Sequence, residues 1–219
     1  MKKTKIASHT ASQTSSRPMD DDECRTPACY EARAAHSVNE PGMDHPPKLL
    51  GSQEIYKGRV FNVRVDTVLD QGTERKLGIV EHPGSVVIAA VTAGERLVLI
   101  RQYRHAAGRL LWEIPAGTSE PDEDRLAGAQ RELREETGYT ADSWEFACSA
   151  YPTPGYCSEI MHLYVARDLH AGEQQLEEDE RIEVREVTLQ EAGSMQASGE
   201  IADMKTILAL LWLTGRRYK

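Results

Sequence analysis

Residues 117–139 read GTSEPDEDRLAGAQRELREETGY, and three glutamates fall within five positions of this stretch: Glu132, Glu135 and Glu136. On an α-helix, which advances about 100° per residue, side chains at these spacings point to one side. The other side of the same turns carries the apolar residues Leu126, Ala129 and Leu133. The stretch therefore predicts a helix that packs on a sheet and turns three carboxylates toward a cleft.

Carboxylates crowded in this way repel one another unless a cation lies between them. Clustered oxygen ligands without histidine or cysteine select Mg²⁺, with Mn²⁺ as a substitute, and Mg²⁺ sites commonly engage substrate phosphates. A second interpretation is a solvated acidic helix, in which Arg131 and Arg134 pair with the glutamates beside them. Helix composition alone favours that second interpretation.

Hydrophobic patterning predicts strands and helices without a repeating strand-helix-strand unit, so the fold class is α+β. The predicted strands are 60–69, 76–81, 85–91, 96–103, 110–114, 160–166 and 182–187, with a turn at Gln71-Gly72 between the first two. Pro121 is expected to begin the first helix and Gly138 to end it. A last helix, 201–213, has a core-facing stripe of Met204, Ile207, Leu208, Leu211 and Trp212.

The 219 residues include 26 basic and 35 acidic side chains, for a formal charge of −9. This charge disfavours nucleic acid and anionic membrane surfaces as partners. No apolar run reaches the roughly 18 residues that span a bilayer, and residues 1–18 lack the apolar core of a secretory signal. Cysteines 24, 29, 148 and 157 show no zinc or disulfide spacing. We expect a cytoplasmic protein, with an organelle transit peptide as the alternative.

Composition divides the chain into three parts. Residues 1–47 are rich in Ser, Thr, Ala, Asp and Pro and show no apolar period, which predicts a disordered tail. Met43 stands just before the first patterned segment and is a candidate translation start. Residues 48–82 predict an N-terminal antiparallel strand region, and residues 83–219 predict the main domain.

The stretch 117–139 resembles the Nudix box of the Nudix hydrolases, G-x5-E-x7-R-E-U-x-E-E-x-G-U, where U is bulky and apolar. Every fixed position is met, with Tyr139 where an aliphatic residue is commoner. The resemblance implies an α/β/α sandwich with a mixed sheet, in which Glu123 and Arg131 tie a loop to the helix. It implies metal ligation by Glu132, Glu135, Glu136 and the carbonyl of Ala116. We include Glu135 and Arg131 among the catalytic residues.

Two further segments resemble the ADP-ribose pyrophosphatase branch of this family, and the likeness extends over residues 53–215. The first is IRQYR, residues 100–104. The branch uses its last arginine, here Arg104, to contact the substrate. The second is WEIPAG, residues 112–117, whose glutamate, here Glu113, touches the substrate near the metals in the branch.

Two more segments resemble segments of the branch that lie near the substrate. In TPGYCSE, residues 153–159, the branch uses the glutamate, here Glu159, to orient or deprotonate the attacking water. Gly155 belongs to the same substrate-binding loop, in which Thr153 replaces the usual serine. In YKGRV, residues 56–60, the resemblance implies that Arg59 binds near adenine.

The resemblance predicts Mg²⁺-dependent hydrolysis of the pyrophosphate of ADP-ribose to AMP and ribose 5-phosphate. Alternatives are hydrolysis of another nucleotide sugar such as GDP-mannose, a sensor of the same fold that binds without turnover, and an isomerase, whose cysteine and glutamate pattern is not found. The resemblance also implies a homodimer in which the N-terminal strands complete the partner's nucleotide site. The acidic run over residues 173–186 predicts only a solvated face.

Overall fold

The computed structural model describes residues 46–178 and 180–215. The expected tail, with Met43, lies outside these residues except for its last two positions. The strands are β1 (Lys48–Lys57), β2 (Asn62–Asp70), β3 (Thr73–Glu81), β4 (Ser85–Ala90), β5 (Arg96–Arg104), β6 (Arg109–Glu113), β7 (Ala116–Thr118), β8 (Thr140–Ala150), β9 (Met161–His170) and β10 (Glu183–Thr188). The helices are α1 (Arg125–Thr137), α2 (Leu189–Ser198) and α3 (Met204–Leu213), and a 3₁₀ turn, His105–Ala107, joins β5 to β6.

The first three strands form an antiparallel sheet of their own, in the order β1-β2-β3. Its second hairpin turns at Gln71 and Gly72, whose φ angles are 49° and 79°. Positive φ at both positions suits the two-residue turns that follow the twist of the strands, and the turn lies where the sequence predicts it. β1, which the sequence patterning does not predict, is exposed at all ten residues.

A mixed four-stranded sheet, in the order β7-β4-β9-β8, lies at the centre of the molecule. In it β4 runs parallel to β9 and antiparallel to β7. All six residues of β4 are buried, as a continuous apolar run predicts. Strands β10, β5 and β6 form a third sheet, which is antiparallel throughout.

Alternate residues of β4 belong to two different hydrophobic cores, because successive side chains of a strand point to opposite faces. Val86 and Ile88 share one core with Ala129 and Leu133 of α1. Val87 shares the other core with buried residues of α2 and α3. One helix therefore covers one face and two helices cover the other, which confirms the α+β class and the expected α/β/α sandwich.

Helix α1 begins four residues later than expected. Pro121 and Asp122 lie in a turn, and Asp122 has a φ of 65°. The helix begins after Asp124, whose side chain accepts hydrogen bonds from two backbone N–H groups of the first turn. Pro121 was therefore the wrong start, because an N-cap aspartate outweighs a nearby proline. Gly138, with a φ of 77°, ends the helix as expected.

Helix α3 packs against the core with three of the five residues of its predicted stripe, Ile207, Leu208 and Trp212, while the other two are exposed. Met204 and Leu211, both expected on the core stripe, are 46% and 40% exposed. The buried residues are Thr206, Ala209 and Leu210. Because every residue from 207 to 213 is apolar, hydrophobicity alone does not define the buried face. None of the helices in the described residues is long and apolar enough to cross a membrane.

Candidate active site

The backbone of β7 lies against a carboxylate of α1. A Cβ atom on Gly117 would lie 1.8 Å from Cδ of Glu132, far inside van der Waals contact. Only glycine leaves this space open. The first fixed position of the sequence pattern therefore has a steric reason, since it lets a helix carboxylate lie on the strand that precedes the helix.

Arg131 fastens the loop before α1 to the helix. Its Nε and Nη2 donate to Oε1 and Oε2 of Glu123 at 3.0 and 2.9 Å. Such two-pronged, charge-assisted hydrogen bonds are strong, and they hold the pKa of Glu123 below and the pKa of Arg131 above their ordinary values. Gly128 leaves room for this pair, because a Cβ there would lie 2.9 Å from Oε2 of Glu123. The loop and the helix are therefore held as one unit.

The third nitrogen of Arg131 binds two of the clustered glutamates. Nη1 donates to Oε1 of Glu132 at 2.8 Å and to Oε2 of Glu135 at 3.0 Å. Glu136 lies deeper and is only 3% exposed. One of its oxygens accepts the N–H of Ala116 at 2.9 Å. One guanidinium thus holds Glu132 and Glu135, while a backbone amide of β7 holds Glu136.

Burial raises the pKa of two of these glutamates. Desolvation raises the pKa of Glu136 to about 8, and the charge of Glu132 adds to the rise. Desolvation also raises the pKa of Glu132, although Arg131 acts in the opposite direction. A raised carboxyl pKa means that the ionised form is poorly compensated by the protein alone. A cation beside these groups would restore their charge.

The donor set fits a hard divalent cation, although its members do not converge as they stand. Within residues 46–178 and 180–215, no three His, Cys, Asp or Glu side chains lie close enough to hold a metal ion. Arg131 stands between Glu132 and Glu135 and supplies the positive charge there. The chemistry nevertheless suits Mg²⁺ or Mn²⁺, since carboxylates with the backbone of Ala116 are hard oxygen ligands.

An open cleft of ≈ 530 Å³ lies beside these carboxylates and is lined by Glu132, Glu135, Glu136 and Ala116. Three arginines line the same cleft: Arg131, which binds the glutamates of α1, and two from other elements. Arg59 comes from the segment between β1 and β2, and Arg104 is the last residue of β5. The cleft therefore combines carboxylates suited to a cation with guanidinium groups suited to phosphate.

Arg104 is held in place by Glu113, the last residue of β6. Nε and Nη2 of Arg104 donate to the two carboxylate oxygens of Glu113 at 2.9 and 2.7 Å. Glu113 is only 1% exposed, and the described lining of the cleft does not include it. A direct contact between Glu113 and a substrate stays a prediction. What the structure shows is a buried carboxylate that orients an arginine of the cleft.

The loop over residues 153–159 docks on the N-terminal sheet. The N–H of Val80 donates to the carbonyl of Tyr156 at 2.8 Å, and the N–H of Ser158 donates to the carbonyl of Val80 at 3.0 Å. At the end of this loop, Oε1 of Glu159 accepts the hydroxyl of Ser85 at 2.8 Å. Neither Glu159 nor Gly155 is among the described residues that line the cleft. Their predicted roles remain predictions.

Two residues of the cleft come from the acidic run that the sequence assigns only to a solvated face. Glu177 and Glu180 line the cleft, and the charge of Glu180 contributes to the raised pKa values of Glu132 and Glu136. The segment is fastened to the end of α1, where the side-chain amide of Gln174 donates to the carbonyl of Glu136 at 2.6 Å. The density of acidic residues was the only signal in the sequence, and it did not indicate which of them face the cleft.

Known proteins are similar to this chain over the residues that form most of the cleft. A profile of the NUDIX domain matches residues 81–211. The chain is 39% identical over 169 residues to "ADP-ribose pyrophosphatase" of Bacillus subtilis (strain 168), an alignment that covers 76% of this chain and 91% of the relative. It is 40% identical over 169 residues to "Methanol dehydrogenase activator" of Bacillus methanolicus, with the same two coverages. The matched range contains every cleft residue named above except Arg59.

The fold also resembles that of a solved structure. The structure described as "Crystal structure of ADP compounds hydrolase" superposes with a TM-score of 0.70 and is 22% identical in sequence. The superposition covers 80% of this chain and 95% of the other chain. At this identity the likeness concerns the fold.

Proposed function

Because the chain belongs to the NUDIX domain family, we propose that it is a Mg²⁺-dependent hydrolase that cleaves the pyrophosphate of ADP-ribose to AMP and ribose 5-phosphate. The observation that carries this proposal is a single cleft lined by the carboxylates of α1 and by Arg59 and Arg104. The relative from Bacillus subtilis that is named for this activity supports the choice of substrate.

In this proposal Glu132, Glu135, Glu136 and the carbonyl of Ala116 hold the cation. When bound, Mg²⁺ neutralises the charge of the pyrophosphate and makes a water molecule more acidic, and Mn²⁺ is the expected substitute. Arg131 keeps the loop and the helix together through Glu123. Arg104 and Arg59 bind the phosphates and the nucleoside through the forked donors of their guanidinium groups. Positioning and charge neutralisation are the main requirements of phosphoryl transfer.

The reaction needs an acceptor for the proton of the attacking water. As the water oxygen bonds to one phosphorus, the bond from that phosphorus to the bridging oxygen breaks, and the leaving phosphate keeps the electron pair. The resemblance implies Glu159 as the base. Glu180 is the alternative, because it lines the cleft and its charge acts on Glu132 and Glu136. Position in the cleft favours Glu180.

Two matched variants, Glu159→Gln and Glu180→Gln, separate the two candidates for the base. Loss of a general base lowers kcat by roughly 10²- to 10⁴-fold, whereas loss of a supporting carboxylate has a smaller effect. We expect the larger loss of kcat for Glu180→Gln. A larger loss of kcat for Glu159→Gln would instead identify Glu159, at the end of the loop over residues 153–159, as the base.

The test of the proposed function is product analysis. The purified protein is incubated with Mg²⁺ and, separately, with ADP-ribose, GDP-mannose, NADH and diadenosine polyphosphates. We expect AMP and ribose 5-phosphate from ADP-ribose, with turnover abolished by EDTA and by Glu132→Gln. Faster turnover of GDP-mannose than of ADP-ribose would support the same mechanism with a different substrate. Binding without turnover of any compound would instead indicate a sensor, a reading that the complete set of glutamates argues against.

We also propose that the protein is a homodimer. The N-terminal sheet exposes many large hydrophobic side chains: Leu49, Leu50, Ile55, Tyr56, Leu69 and Leu77. An exposed strand of this length with apolar side chains is a surface that proteins normally cover. Arg59, which follows β1, lines the cleft, so a partner seated on this sheet would lie near the substrate.

The free thiols of Cys148 and Cys157 support a location in the reducing cytoplasm.

A further inference from the structure

A chain of charged and polar contacts leads from the cleft to the beginning of the C-terminal helix. It starts at the buried carboxylate of Glu113, which holds Arg104 through both of its oxygens. The second of these oxygens also accepts a hydrogen bond from Nζ of Lys205. Arg104 and Lys205 come from β5 and α3, which lie about 100 residues apart in sequence, so only the folded protein brings them to one carboxylate.

Lys205 also contacts Asp203, the residue that caps the first turn of α3. Nζ of Lys205 donates to Oδ1 of Asp203 at 2.9 Å. Oδ2 of Asp203 accepts from the backbone N–H of Thr206 at 3.0 Å and from its hydroxyl at 2.6 Å. The N–H of Ile114, the residue after Glu113, donates to the same hydroxyl oxygen at 2.9 Å. The contacts therefore close a ring between β6 and the first turn of α3.

Charge explains why two cations, Arg104 and Lys205, contact the carboxylate of Glu113. Burial alone would raise the pKa of Glu113, but the hydrogen bonds and charges of Arg104 and Lys205 outweigh burial and hold the pKa of this carboxyl below its ordinary value. The side chain of Lys205 is 12% exposed and that of Arg104 is 40% exposed. Lys205 is thus the inner partner, and Arg104 is the partner that also reaches the cleft.

Loss of Lys205 would leave Arg104 as the only cation on a buried carboxylate. Breaking such a pair on one side leaves charge uncompensated, and the remaining partner is drawn to it. The guanidinium of Arg104 would then be less available to an anion in the cleft, and the orientation of Glu113 would no longer be fixed by α3. Both effects weaken the binding of a phosphate by Arg104.

We propose that Lys205, held by Asp203, is a positioning residue for the substrate: it fixes Glu113, and through Glu113 it orients the guanidinium of Arg104 in the cleft. The inference rests on the proposed function, because it requires Arg104 to contact the substrate. It adds to that function a residue of α3 that does not itself line the described part of the cleft. The contribution is to substrate affinity and not to the bond-breaking step.

The test compares KM and kcat for ADP-ribose in the Mg²⁺-loaded protein. Lys205→Met keeps the length of the side chain and removes its charge, and we expect KM to rise by about tenfold with kcat within about twofold. Lys205→Arg restores a cation at this position, and we expect KM to recover to within about threefold of the wild-type value. The control is Arg167→Met, which breaks the exposed pair with Glu95 and is expected to leave KM unchanged.

A double-mutant cycle separates positioning from general destabilisation. If Lys205 acts through Arg104, Lys205→Met has no further effect on KM once Arg104→Met is present. An equal effect in both backgrounds, or a wild-type KM in Lys205→Met, would overturn the inference. Absence of any turnover of ADP-ribose by the wild-type protein would overturn the proposed function instead. Calorimetric Tm values confirm that each variant is folded at the assay temperature.

Discussion

At the scale of single residues, burial and steric space determine how the glutamates of α1 behave. Glu136 is the most buried of them and has a pKa of about 8, whereas Glu135 is partly exposed and pairs with Arg131. Glu132 lies where a Cβ on residue 117 would otherwise be. Three residues of one type, within five positions, therefore have three different environments.

The raised pKa of Glu136 predicts the pH dependence of stability in the metal-free protein. The folded pKa of about 8 lies above the unfolded value of about 4.3, so the folded state binds this proton more tightly. The stabilisation is complete below about pH 4.3 and is lost as pH rises toward 8. In EDTA, we expect Glu136→Gln to raise Tm by about 3 °C or more at pH 8.5, because the amide remains neutral.

Calorimetry across pH 5 to 9 measures this effect, with Glu135→Gln as the matched control. The control removes a carboxylate from the same helix but not a buried one. Equal pH dependence of Tm in the wild type and in Glu136→Gln would show that Glu136 is not the group that titrates.

The position of Gly117 predicts a catalytic defect without a large loss of stability. In Gly117→Ala the new methyl group would overlap the carboxylate of Glu132 and displace it. We expect kcat/KM to fall by at least about 100-fold, because a displaced ligand costs more than a lost surface contact. Gly193→Ala in α2 is the control, since its Cβ meets nothing within 4 Å. Activity of Gly117→Ala within threefold of the wild type would contradict this account of the glycine.

At the scale of elements, α1 is defined by its two ends and by the loop before it. Asp124 caps its first turn, Gly138 ends it in a left-handed conformation, and the pair of Glu123 and Arg131 holds the loop. The acidic segment, residues 173–180, is joined to the end of the same helix through Gln174. The cleft is therefore organised around one helix and the segments bound to it.

Removal of the cap of α1 tests how much the helix depends on it. We expect Asp124→Ala to lower the free energy of unfolding by about 1 kcal/mol, since two backbone N–H groups lose their acceptor. Asp124→Asn keeps an acceptor oxygen and should recover most of that loss. Urea denaturation measures both variants. If Asp124→Asn is as unstable as Asp124→Ala, the charge of Asp124 matters more than its hydrogen bonds.

At the scale of the whole molecule, the N-terminal sheet of β1, β2 and β3 ends in an edge strand that the other described residues leave exposed. The residues of β1 are exposed along its full length, while β3 contacts the loop over residues 153–159. One edge strand, β3, is thus joined to this loop, and the other, β1, pairs with β2 alone among the strands that the structure describes. This arrangement underlies the proposed homodimer.

Charged substitutions on β1 test the dimer. We expect light scattering at micromolar concentration to give twice the 24.4 kDa of the chain for the wild type. The double variant Leu49→Lys with Ile55→Lys should give the mass of one chain and a lower kcat/KM, because charge in an apolar interface is costly. Gln53→Lys, on the same strand, is the control. A monomer mass for the wild type would defeat the proposal.

The sequence by itself determined the parts of this protein that depend on local spacing. The glutamates of α1, its glycine end and the buried run of β4 are all encoded by residues within one or two turns or within one strand, so periodicity predicts them. Pro121 predicts a start of α1 four residues too early, because Asp124, and not the proline, determines where the helix begins.

Only the tertiary structure decided which distant residues share the cleft. β1 has no clear apolar period because it is exposed throughout, and the weakly patterned β8 and α2 were likewise not predicted. Glu180 faces the carboxylates of α1, and Lys205 meets Glu113 from 92 positions away. The physical reason is that the packing of sheets and helices determines which residues far apart in sequence come into contact. The order of charged residues along the chain does not indicate which face of the fold they will occupy.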